Sequence, residues 1–115
     1  MVAMARSPNL SLMPLVLTQQ VTSLGVRIRS ARQARRLRLE DIADKTGLSR
    51  KTVEAVERGE SSTSLGAYIA VLGCMGLAQE LDLLADPGLD REGLALHFSV
   101  ADKRVRPSQK VANDF

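Results

Sequence analysis

A chain of 115 residues is long enough for one compact domain with short tails, and at 3% aromatics its core must come from Leu, Val, Ile, Ala and Met, which favours packed helices over a β-sandwich. The single cysteine, Cys74, excludes an internal disulfide, and with the single histidine, His97, it cannot complete a zinc site, so no metal or other cofactor is expected. Net charge is +3 but unevenly placed: ten Lys/Arg against six Asp/Glu from Leu24 to Leu65, one against six from Leu77 to Asp102, and four against one from Lys103 to Phe115. A basic block offers a polyanion a surface, and the acidic block separates it from a basic tail.

Residues 1–22 read as an N-terminal arm. Pro8 and Pro14 oppose a long helix, and Leu10 to Leu17 suits a short strand, a contact with a partner subunit, or a disordered leader. The layout around Arg6, Pro8 and Asn9 is not that of a signal peptide, and no apolar run approaches the ~20 residues that cross a bilayer, so a cytoplasmic protein without a membrane partner is expected. From Leu24 to Leu37 a helix is expected, with Leu24, Ile28 and Ala31 on one face, the stem of Arg35 at its edge and Ser23 as cap. Six arginines and no acid lie between Arg27 and Arg38.

Leu39 to Thr46 reads as a second, short helix with Glu40 and Asp41 in its first turn, where the helix dipole favours acids. Gly47 ends it. Ser49 caps a third helix running to Arg58, with Val53 and Val56 inward and Arg50, Lys51, Thr52 and Glu54 outward. Ala43 is small enough to let these two helices approach, and Leu48 fills their corner. A helix held proud of a small domain in this way fits the DNA major groove, roughly 12 Å wide. After a polar turn from Glu60 to Ser64, a broadly apolar fourth helix is expected over Leu65 to Met75, and a fifth over Leu77 to Ala85, stopped by Asp86-Pro87-Gly88. Leu94 to Val100 alternates loosely and suits a strand, and Lys103 to Phe115 suits a flexible tail. The expected organisation is an arm over 1–22, a DNA-binding domain over 23–85 and an extension over 86–115.

The segment from Leu39 to Gly59 resembles the helix-turn-helix of the Xre family, the group of the phage Cro and cI repressors. The resemblance runs from Leu24 to Leu84 and rests on Leu24-Gly25, the arginines that follow, the turn at Gly47, the ending Glu57-Arg58-Gly59 and the close Met75-Gly76-Leu77. It implies an all-α, five-helix repressor-like domain with flexible or strand-forming arms, binding operator DNA as a homodimer. Residue by residue, Arg50, Lys51 and Ala55 match groove-facing places, Thr52 stands within reach of a base or phosphate, and Arg58 matches a phosphate-contacting place. Glu57 matches a glutamate that pairs with a first-helix arginine, here Arg32, as a structural brace. Arg38 and Leu39 replace the usual Thr or Ser cap and its following Gln, so Arg38 is expected to supply a charge contact instead. Arg36 stands where a glycine is common. The candidate DNA-binding set is therefore Arg38, Ser49, Arg50, Lys51, Thr52, Ala55 and Arg58.

The region after the third helix is also similar to HipB-like antitoxins, which implies a HipA-type kinase toxin as partner, with the acidic stretch from Glu80 to Glu92 and the tail bearing Arg104, Arg106 and Lys110 as partner surfaces. A second class of reading is a helix-turn-helix-derived module that binds protein rather than DNA. No phosphate loop, paired-carboxylate frame or metal cluster supports an enzyme.

Overall fold

A computed structural model describes residues 12–104. They form five α-helices, α1 (Leu15–Ala34), α2 (Leu39–Thr46), α3 (Arg50–Arg58), α4 (Leu65–Cys74) and α5 (Arg91–Arg104), with a 3-10 helix over Gln79–Leu83. Among the described residues there is no strand. The chain divides into two compact units, one ending at Gln79 and the other beginning at Glu80.

The first helix starts nine residues before the expected Leu24, so the part of the N-terminal arm from Leu15 to Thr22 is helical rather than extended. Pro14 starts it instead of preventing it. Its fixed φ of −56° suits a helix entrance, and its carbonyl accepts from the N–H groups of Leu17 and Thr18. The hydroxyls of Thr18 and Thr22 bond back to the carbonyls of Pro14 and Thr18, which lets these residues sit inside a helix. Ser23, expected as a cap, lies mid-helix. Leu10 and Ser11 of the expected strand lie outside the described residues.

α1 stops at Ala34 through a two-bond closure. The Arg36 N–H donates to the Gln33 carbonyl at 3.0 Å and the Leu37 N–H to the Arg32 carbonyl at 3.2 Å. This is the Schellman arrangement, which places one residue in the left-handed region. Arg36 occupies it, at φ +57°. α4 closes with the same two bonds, Gly76 to Gly73 and Leu77 to Leu72, and there the left-handed residue is Gly76 at φ +75°.

The core is Ile28 of α1, Ile42 of α2, Val53 and Val56 of α3, and Ala67, Tyr68 and Val71 of α4 together with Met75 just beyond it. Burying a side chain of this size contributes about 1.5–3 kcal/mol over leaving it exposed. α3 packs on α1, α2 and α4, and α2 packs also on α4, so α3 is anchored from three directions.

The expected fifth helix, Leu77 to Ala85, is reduced to the 3-10 helix at Gln79–Leu83. The expected strand over Leu94 to Val100 is part of α5. Its period-two spacing of Leu94, Leu96, Phe98 and Val100 spreads them around the helix, where Leu96, Phe98 and Val100 are exposed. No side chain from Glu80 to Val100 is buried.

Candidate functional site

Local hydrogen bonds set the course of the chain through α2 and α3. At the start of α2, Asp41 Oδ2 accepts from the Arg38 backbone N–H at 2.7 Å, and the Arg38 guanidinium donates to the same carboxylate. Those side-chain bonds, and then the backbone one, hold the Asp41 carboxyl below the usual carboxylate range. At the other end the Gly47 N–H bonds to the Ala43 carbonyl with φ +78°, the left-handed turn that redirects the chain. The Thr46 hydroxyl donates to the Ile42 carbonyl at 2.8 Å and accepts from the Leu48 N–H at 3.2 Å, which fixes the corner. Leu48 packs against the core. Ser49 Oγ then caps α3 by accepting from the Thr52 N–H at 3.1 Å, and it lies 2.9 Å from the Thr52 hydroxyl.

α3 carries two distinct faces. Val53 and Val56 are fully buried. Lys51, Thr52, Ala55 and Arg58 fall at helical spacing on the outward side, where they line one open cleft with Glu54 and with Glu60, Thr63 and Ser64 of the following turn, while Arg50 is exposed beside that lining rather than part of it. That turn is held by the Tyr68 hydroxyl, which donates to the Glu60 carbonyl at 2.8 Å, and by Ser64, which caps α4. Burial pushes the Tyr68 phenol up. The apolar pattern of the fourth helix carries no signal for this bond, whose partners lie eight residues apart across the turn.

The charges on this face are largely engaged. Arg50 donates through Nη1 to Glu40 Oε2 at 2.8 Å and through Nε to Glu54 Oε2 at 3.2 Å. Arg58 pairs with Glu60 at 2.8 Å and Arg38 with Asp41 at 3.1 Å. Lys51 is exposed and takes no part in the ion pairs among the described residues. The spacing of four between Arg50 and Glu54 is a readable helical pair. Glu40, on the preceding helix, carried no such signal.

Behind α3 the structure brings Arg32 and Glu57 together. Arg32 Nε and Nη2 donate to the two carboxylate oxygens at 2.6 and 3.0 Å, with only 11% and 8% of the side chains exposed. The bond to Glu57 raises the Arg32 pKa further against a smaller opposing effect of burial. Nη1 of the same arginine donates to the Leu37 carbonyl at 2.9 Å. One guanidinium thus ties α1, the α1–α2 corner and α3. Beside it the helices nearly touch: a Cβ on Gly25 would lie 2.6 Å from the Glu57 carbonyl oxygen and from the Gly59 nitrogen, and one on Gly59 would strike the backbone of Val21 and Thr22. Sequence reasoning took Gly25 as a landmark of resemblance and missed this crossing.

Among the described residues no cluster of His, Cys, Asp and Glu is placed to hold a metal ion. No helix among them is long and apolar enough to cross a membrane. A family model described as a helix-turn-helix domain matches residues 23–84. No curated protein matches the chain.

Proposed function

The chain belongs to the helix-turn-helix domain family, matched over more than half its length, and from that premise we propose that it is a sequence-specific, double-stranded-DNA-binding regulator of the Xre type. The observation that carries this reading is the division of α3: Val53 and Val56 are locked in the core while Lys51, Thr52, Ala55 and Arg58 share one open face. In this reading α3 enters the major groove. Lys51 and Arg50 donate to guanine O6 and N7, Ala55 meets a thymine methyl, and Thr52 bonds a base or phosphate while Ser49 sets the height of the helix start. Arg38, Arg58 and the exposed arginines of α1 contact phosphates and release counterions, so affinity falls steeply with salt.

A cytoplasmic dimer that represses from an operator is the form of regulator proposed, its two copies of α3 reading half-sites about one helical turn apart. The test is duplex binding followed by fluorescence anisotropy over a salt series, with the target selected from a random library. Lys51→Ala is expected to weaken the selected site by about tenfold or more, the value of one good base contact, while changing random duplex much less. A folded protein that binds no duplex at any salt overturns the reading in favour of the protein-binding module.

The exposed Leu96, Phe98 and Val100 of α5 support a narrower reading in which the second unit docks a HipA-type kinase toxin and the protein is its antitoxin. Co-purification with a kinase encoded beside it, lost on Phe98→Asp, supports that reading. Recovery of the protein alone in the presence of that kinase overturns it.

A further inference from the structure

Arg50 is held in an unusual electrical state for a side chain at the start of a groove-facing helix. Two carboxylates on two different helices grip it, Glu40 of α2 at 2.8 Å and Glu54 of α3 at 3.2 Å. All three side chains remain between one-third and just over one-half exposed. The cluster carries one positive and two negative charges. A guanidinium has five N–H donors, and two are used here. The others take no protein partner among the described residues.

A cluster with net negative charge repels a phosphate, which is an anion. It still offers N–H donors to the neutral acceptors O6 and N7 of a guanine edge, and the two carboxylates have already ordered the fork that must meet them. We propose that Glu40, with Glu54, is a specificity-determining positioning residue: it orients Arg50 and cancels its charge, so that Arg50 reads base edges and is denied to phosphates. Discrimination then comes as much from weakening the wrong complex as from strengthening the right one. The inference rests on the DNA-binding reading given above and adds to it a control on base readout that sits outside the groove-facing helix.

The experiment compares Glu40→Gln with Asp44→Asn. Both remove one negative charge from α2, and Asp44 is exposed and takes no part in the ion pairs described. Affinity is measured for the selected site and for random duplex across a salt series, with thermal midpoints taken to show that each variant folds. Glu40→Gln is expected to raise random-duplex affinity about fivefold and to steepen its salt slope by about one, as Arg50 takes up a phosphate, with no matching gain at the selected site. Asp44→Asn is expected to change both duplexes alike and to leave the slope nearly unchanged. In an Arg50→Ala background the selective gain on random duplex from Glu40→Gln should vanish, leaving only the even change expected of Asp44→Asn. Equal behaviour of the two variants, or persistence of that selective gain without Arg50, overturns the inference while leaving DNA binding intact. A wild-type protein that binds no duplex overturns both.

Discussion

Arg36 adopts φ +57° in the closure of α1, where the side chain of an L-residue crowds the backbone. The left-handed conformation costs a non-glycine residue about 1–2 kcal/mol. Glycine removes that cost but returns about 0.5–1 kcal/mol through the greater freedom of the unfolded chain. Arg36→Gly is therefore expected to stabilise the protein by about 0.5–1 kcal/mol, a rise in thermal midpoint of about 3–6 °C for a domain of this size. α4 supplies the reciprocal experiment, since it closes by the same two hydrogen bonds with Gly76 at φ +75° and a Cβ there would meet nothing within 4 Å. Gly76→Ala should lower the midpoint by a similar amount, through backbone conformation and not through a clash. Both variants are followed by circular dichroism on heating and by urea titration, where unchanged m-values exclude a change in the extent of unfolding. A midpoint that falls or stays put in Arg36→Gly would refute the reasoning, as would two variants moving in the same direction.

Three other changes have definite outcomes. Gly25→Ala places a methyl 2.6 Å from two backbone atoms of the α3 end, which cannot rotate away, so a loss of about 2–3 kcal/mol in urea is expected. Glu57→Ala leaves the Arg32 guanidinium nearly buried without its anion; the pair sits at the edge of the core, where water can relax the loss, and about 2–3 kcal/mol of destabilisation is expected by the same titration. Asp41 has its carboxyl pKa depressed in the folded state by Arg38, so its contribution is present above the ordinary carboxylate range and is lost as pH falls through the folded value. The thermal midpoint of Asp41→Asn should accordingly lie below wild type at neutral pH and converge with it in acid.

The middle of this fold was legible because its signals are local. Leu39–Thr46 begins with acids and ends at a glycine, and Ser49 and Gly59 bracket the next helix; the structure puts α2 at those residues and starts α3 one residue after its cap. The errors arose where local signals mislead. Pro14 is a breaker inside a helix but a good entrance to one, and Ser23 resembles a cap although the helix runs through it. The end of α1 was placed three residues late because its turning residue is Arg36 and not a glycine. At the candidate site, Lys51, Thr52 and Glu54 follow as outward residues from the helical pattern, whereas Ala55 and Arg58 enter through the family resemblance. The engagement of Arg50 by Glu40 and the near contact of Gly25 with Gly59 depend on how helices cross, which spacing along one helix does not encode.

The absence of any buried side chain between Glu80 and Val100 bears on the timescale over which each part of the molecule exposes its backbone to solvent. Amide protons of Ile42, Val53 and Val71, which are wholly enclosed, are released only when the core opens as a whole. Those of α5 up to Val100 lie beneath no buried side chain and exchange through local fraying of their helical bonds. The protein thus keeps two clocks, a slow one for its core and a fast one for its second unit, and a partner that covered Leu96 and Phe98 would be recorded as a slowing of the second.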